Sequence, residues 1–209
     1  NIGGIANFTF LPAGRKAGSV WVTDTGPGNT LIDQLVRQFD PSKSFDRDAR
    51  WARQGKVNDP LLRALKSHPF FSLSSPKTTG PELFNMDYVT SAQRVSDTQS
   101  IPQADVLATV TRFSAETMAT AIRGACGSKP FAIYLSGGGA HNPLLVQWIG
   151  ELLGKNSLPT TAALGIPPDA KEAILFAVLA NETLFGKPVE YGKPGKIPSV
   201  RMGKISLPD

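Results

Sequence analysis

Cysteine and histidine are scarce in these 209 residues: Cys126 stands alone, and the histidines are His68 and His141. One cysteine excludes an internal disulfide and fits a reducing compartment. It follows a helical pattern in Arg123-Gly124-Ala125-Cys126-Gly127, where a small buried or C-capping residue is expected rather than a nucleophile. No zinc-ligand spacing can be built from this set, and no serine elbow or Cys/His pair supports acyl transfer. There is no run of eighteen apolar residues and no signal-peptide pattern. Neither a membrane span nor secretion is therefore indicated, and a cytoplasmic location is expected. The 22 Lys and Arg exceed the 17 Asp and Glu by five, but they are scattered along the chain. That describes a solvated surface rather than a nucleic-acid face.

What is present reads as α/β. Val20-Trp21-Val22 is a short β-prone run, and Phe131-Ala132-Ile133-Tyr134-Leu135 is a candidate buried strand, with a shorter one near 157–160. Helical spacing of Leu31, Ile32, Leu35, Val36 and Phe39 predicts a helix over 29–39 that Asn29 can cap. Short helices are expected near 49–53 and 60–66, the latter capped by Asn58 or Asp59. A long amphipathic helix is predicted over 102–123, with further helices near 143–153 and 169–185. Residues 68–100 are rich in Pro, Ser and Thr and read as mostly irregular. Strands alternating with helices favour a sheet covered on both faces. Residues 187–209 read as a tail draped over the domain.

Three glycine-containing segments carry the chemistry. Asp24-Thr25-Gly26-Pro27-Gly28-Asn29 places a carboxylate at a strand end, then a tight turn, then a helix. Glycines let backbone approach a ligand closely, and a helix N-terminus favours anions. A turn that merely caps the helix is the alternative reading. Gly3-Gly4 begins an alternating run that leads into a hairpin, with Pro12-Ala13-Gly14 turning towards the return strand. Gly137-Gly138-Gly139 follows the 131–135 strand, and three consecutive glycines are costly in a purely structural loop. Asn142-Pro143 is the usual start of a helix, so Asn142 is read as a cap. His141 and Asp33 have structural or solvated readings as their defaults. Asp169-Ala170-Lys171-Glu172 matches a capping box, which alone could account for Glu172.

Taken together and in this order, these segments resemble the anhydro-N-acetylmuramic acid kinase family of the sugar kinase/Hsp70/actin superfamily. The resemblance runs through Asn1–Asn7, Asp24–Asn29, Pro76-Lys77-Thr78-Thr79-Gly80, Glu82–Asn85, Gly137–Pro143 and Ala163–Pro167. It covers the chain to about Gly186. Family members are longer, with a first phosphate loop upstream, so residues 1–186 resemble the C-terminal lobe of such a kinase. The implied fold is part of an actin-like, RNase H-like ATPase. Where the family carries an arginine after the Lys-Thr-Thr-Gly loop, Pro81 stands here, so Lys77 is not expected to be catalytic.

The resemblance implies a reaction. ATP with Mg²⁺ would lie between two lobes, its phosphates at Gly3, Gly4, Gly26 and Gly28 and its adenosine end near Gly137, Gly138 and Gly139. Asp24 would activate water to open a 1,6-anhydro sugar as O6 takes the phosphoryl group, with Glu172 facing the sugar. The substrate implied is anhydro-N-acetylmuramic acid. A levoglucosan-phosphorylating branch is the alternative, towards which the segment Ser199–Ile205 leans. A non-catalytic nucleotide-binding module is the reading from another class, and Asp24 argues against it. Implied partners are the upstream portion of the same chain and a second copy in a homodimer. These 209 residues alone are expected to be inactive and to expose an apolar surface that the rest of the protein covers.

Overall fold

A hairpin and one long helix organise the chain. In the computed structural model, residues 1–14 and 19–188 are described, together with Gly203 and Ile205. Strand β1 (Ile5–Phe10) pairs antiparallel with β2 (Trp21–Pro27), from Phe10 opposite Trp21 to Ile5 opposite Pro27. The Trp21 ring lies 5.4 Å from that of Phe8 and 5.3 Å from that of Phe10, giving the loop end of the hairpin an aromatic clamp. The pairing shifts by one residue between Ala6 and Asn7: Ala6 faces Gly26, whereas Asn7 faces Asp24. Thr25 is the extra residue, and its hydroxyl donates to the Ala6 carbonyl at 3.2 Å. Such a bulge bends a strand and re-aims its neighbours. It sits next to Asp24.

Helix α1 (Thr30–Phe39) follows the turn, then α2 (Asp59–Lys66), capped by Asn58, whose side chain accepts the Leu61 amide. The predicted helix near 49–53 is two 3-10 turns, Arg47–Ala49 and Ala52–Gln54. Within the stretch expected to be irregular, α3 (Met86–Val95) forms. Its signals are Asn85, which caps the Tyr88 amide, and the i, i+3 pair Val89 and Ala92, both buried. Helix α4 (Gln103–Cys126) is the spine, and α5 (Pro143–Leu153) and α6 (Lys171–Phe185) complete the set. No helix among the described residues is long and apolar enough to cross a membrane. The tail reading lies outside the described residues apart from Lys187, Pro188, Gly203 and Ile205.

The expected sheet covered on both faces is not seen among the described residues. Leu135 and Thr160 form one parallel bridge instead, with the Leu135 amide on the Pro159 carbonyl at 2.8 Å and the Thr161 amide on Leu135 at 2.9 Å. A strand needs ladder partners as well as β-prone residues. Here only the end of 131–135 finds them. The architecture is α/β with a small sheet.

Two cores meet along α4. One packs α1, α2 and α3 around Leu31, Leu61, Val89, Leu107 and Phe113, with Phe70, Phe71, Phe84 and Tyr88 as an edge-to-face aromatic block. The other sets Ile2 and Ala6 against Ala115, Met118, Leu145 and Ile149. Polar residues on the buried face of α4 are satisfied: Thr109 and Thr111 donate to Asp105 and Leu107 carbonyls one turn back. Cys126 is the last residue of α4, and burial pushes its thiol up against a partial opposing pull from Lys155. That suits a structural residue rather than a nucleophile. Helix α6 buries no residue and exposes Phe176 and Phe185, at 68% and 79%. This apolar surface matches the expectation.

Asp33, read from sequence as solvated or facing the helix dipole, is half-buried in the first turn of α1. Burial raises its carboxyl from 3.8 to about 6, with Arg37 pulling partly the other way. Between those values the folded chain binds a proton that the unfolded chain has released, so stability falls as pH rises through about 4 to 6. Asp33→Asn in the full-length protein should raise the thermal midpoint at pH 7 and leave it nearly unchanged at pH 4. Melting curves at the two pH values check this. An equal shift at both would assign the effect to packing instead.

Candidate active site

Ile2 is tied on both sides by its backbone. Its amide donates to the Ser136 carbonyl at 2.7 Å, and its carbonyl accepts the Gly139 amide at 2.9 Å. This joins the start of the chain to the loop after residues 131–135. Next to it, Gly3 accepts the Asn29 amide at 2.8 Å, and Gly4 accepts those of Gly28 and Thr30 at 2.8 and 3.0 Å. From below, Ser114 of α4 donates its hydroxyl to the Gly28 carbonyl at 2.9 Å. All three glycine segments are thus one hydrogen-bonded knot over the N-terminal end of α1.

The glycines in this knot do different work. A Cβ on Gly28 would lie 2.3 Å from the Gly3 carbonyl oxygen, and one on Gly139 would lie 2.1 Å from Ile2 Cγ2. Gly137 has φ +84°, and a Cβ there would meet the Ile2 oxygen at 2.8 Å. Close packing against backbone and against the Ile2 side chain requires glycine at these three. Gly4 and Gly138 are exposed, and a Cβ on Gly138 would find nothing nearer than Asn29 Nδ2 at 3.9 Å. The amides of Gly28, Asn29 and Thr30 are occupied by Gly3 and Gly4, so they are not the free anion-binding donors that a helix N-terminus usually offers. Asn29 occupies the cap position without a side-chain cap bond; its amide group lies against Gly138 and Gly139 instead.

Asp24 lies in the middle of β2 rather than at its end, because Gly26 and Pro27 continue the pairing with Ala6 and Ile5. Residues 77–79 run along its outer side. The Asp24 amide donates to the Lys77 carbonyl at 2.9 Å, the Lys77 amide to Thr23 Oγ1 at 2.9 Å, and the Thr79 amide to Asp24 Oδ2 at 2.9 Å. Oδ1 has no protein partner among the described residues. One oxygen is held by the Thr79 amide and the other is open to accept a proton. The Lys77 ammonium donates to the Phe70 carbonyl at 2.8 Å and lies 4.3 Å from the centre of the Phe70 ring, with burial lowering its pKa. Its role here is to hold the loop.

The capping box does not form. The N-cap of α6 is Ala170, with no side-chain cap bond, and Asp169 lies in the preceding 3-10 turn. Asp169 approaches His141 Nε2 at 3.3 Å, and both side chains are exposed. Glu172 stands exposed in the first turn of α6. Asn142 does cap α5, accepting the Leu145 amide. Sequence reasoning missed Ser114, whose signal is a serine on the apolar face of a long helix. It also missed Lys171, whose ammonium reaches Asn1 Oδ1 at 3.1 Å and Ser136 Oγ at 3.0 Å.

The sequence matches the family described as "Anhydro-N-acetylmuramic acid kinase" over residues 1–204. The chain belongs to that family. Among curated relatives, the anhydro-N-acetylmuramic acid kinase of Pseudoalteromonas atlantica is 49% identical over 212 residues, which take in 100% of this chain and 53% of the relative. That of Acaryochloris marina is 38% identical over 205 residues, 96% of this chain and 52% of the relative. That of Caldanaerobacter subterraneus is 39% identical, across 99% of this chain and 53% of its own length. The chain spans about half the length of the curated relatives it matches.

The knot makes a prediction that separates its glycines. In the full-length protein, Gly28→Ala and Gly139→Ala should each destabilise by about 1–3 kcal/mol, because backbone or a β-branched side chain must move. Gly138→Ala should leave stability within about 0.5 kcal/mol. Urea unfolding of the three variants checks it, and equal losses at all three positions would contradict the packing described.

Proposed function

We propose that the whole protein, of which this chain is the C-terminal lobe, is an ATP-dependent kinase with an actin-like fold. It opens the 1,6-anhydro bridge of anhydro-N-acetylmuramic acid with water and phosphorylates O6, giving N-acetylmuramic acid 6-phosphate and ADP. The single observation that carries this reading is Asp24: one carboxylate oxygen is fixed by the Thr79 amide and the other is unpartnered among the described residues, beside a strand bulge. Asp24 takes a proton from water as its oxygen attacks the anomeric carbon. The C1–O bond of the bridge breaks, and the released O6 takes the γ-phosphoryl group. Charge thus develops on O6 as the phosphoryl group arrives to cover it.

Gly4 and Gly138 are the positions at which the nucleotide meets bare backbone, while Gly3, Gly26, Gly28, Gly137 and Gly139 shape the turns that present them. Glu172, free of any cap role, faces the sugar. No group of three or more His, Cys, Asp or Glu among the described residues could hold a metal ion. Mg²⁺ would enter on the ATP phosphates, which it commonly binds, and no ligand for it is assigned on this chain. Family membership and the names of the relatives favour the amino-sugar substrate over levoglucosan. Turnover belongs to the whole protein rather than to these 209 residues, and it is placed in the cytoplasm. A homodimer remains part of the reading inherited from the family.

Two variants of the full-length enzyme test this. Asp24→Asn keeps size and hydrogen bonding but cannot accept the proton, so kcat should fall about 10²–10⁴-fold while ATP and sugar affinities hold. Near-normal turnover would make Asp24 architectural. Gly138→Val should weaken ATP binding at least about tenfold, or 1.4 kcal/mol, with sugar affinity unchanged. Calorimetric titration of each ligand decides it, and unaltered ATP affinity in a folded variant would remove this loop from the nucleotide site.

A further inference from the structure

Helix α6 starts beside the candidate site yet buries none of its residues, so an apolar face packed on the rest of the described chain does not fix its position. Two polar contacts reach its start. The His141–Asp169 pair joins side chains that are 63% and 75% exposed, a setting in which solvent screens an ion pair almost completely. The other contact is Lys171, the first residue of α6, which is half-buried. Its ammonium donates to Asn1 Oδ1 at 3.1 Å and to Ser136 Oγ at 3.0 Å. Ser136 is itself buried, at 3% exposure, and its carbonyl is the acceptor for the Ile2 amide. A Cβ on Gly137 would lie 2.8 Å from Asn1 Oδ1, so the same acceptor is packed tightly against the glycine loop. Lys171 therefore bonds to the knot, and the residue after it is Glu172.

We propose that Lys171 is the positioning residue of this site: its ammonium ties the first turn of α6 to Asn1 and Ser136 and thereby sets where Glu172 stands relative to the glycine loops. This rests on the assignment of Glu172 to the sugar. Three features make Lys171 suited to the task. An ammonium offers three donors and can bridge two acceptors from different segments at once. Half-burial protects those bonds from competition by water. No other side chain in the first turn of the helix is buried among the described residues.

The test uses the full-length enzyme with Lys171→Met and Lys171→Arg, and reads two quantities. Without ligands, amide hydrogen exchange over residues 171–176 should speed up at least about tenfold in K171M and return most of the way in K171R. With ligands, kcat for the anhydro sugar should fall about 10–100-fold in K171M, the range that a misplacement of about 1 Å can cost, with the ATP dissociation constant within about twofold and partial recovery in K171R. A residue with a merely structural role would lower the melting temperature and weaken both ligands without this split. Unchanged exchange, or faster exchange with unchanged kcat, would overturn the proposal. A wild-type enzyme that turns over no anhydro sugar would instead overturn the functional reading, and the exchange comparison would still decide whether Lys171 holds the helix.

Discussion

Ile2 gives its amide to Ser136 and takes the amide of Gly139, and its side chain fills the space that a Cβ on Gly139 would need. The rest of the site depends on this double attachment. It brings the loop that ends residues 131–136 to the turn that begins α1, although more than a hundred residues separate them in sequence. Gly3 and Gly4 then consume the entrance amides of α1, and Ser114 anchors the same turn to the long helix. Buried backbone groups left without partners are costly, so the pairing is all-or-none in character: loosening one loop strands the donors of another.

That constraint explains why glycine is required at some positions and merely permitted at others. Gly28, Gly137 and Gly139 are backbone meeting backbone or a buried isoleucine at distances no side chain allows. Gly4 and Gly138 are exposed, and a Cβ there would meet nothing nearer than 3.8 and 3.9 Å. The bulge at Thr25 has a parallel effect on Asp24. It offsets the strand by one residue, and the docked 77–79 segment then holds one carboxylate oxygen while leaving its mate open.

Much of this was legible in the sequence because local rules decided it. The periodic apolar residues of α1 and α4, a cap at Asn58 or Asp59 for α2 and Asn142 for α5 place those elements, and the three glycine segments are the ones that the fold knots together. The remainder depended on partners distant in sequence. Phe131–Leu135 has a strand's composition, but among the described residues the ladder that would make it one is supplied only at Leu135 and Ser136. Helix α3 was hidden among Pro, Ser and Thr, and Asn85 with Val89 and Ala92 was its only local trace. Asp169 and Glu172 have the spacing of a capping box, yet Asp169 meets His141 and the box never closes. Lys171 gave no signal, since nothing in a helix register says that a lysine will reach back to Asn1.

We propose that Asp24 and the two exposed glycines, Gly4 and Gly138, line one site in the whole protein. A crystal structure of the full-length protein with a non-hydrolysable ATP analogue and the anhydro sugar tests this most directly. The account predicts nucleotide against bare backbone at Gly4 and Gly138, and a water between Asp24 Oδ1 and the anomeric carbon, with the Thr79 amide still on Oδ2. A nucleotide bound away from both glycines, or Asp24 turned from the sugar in the ternary complex, would contradict it.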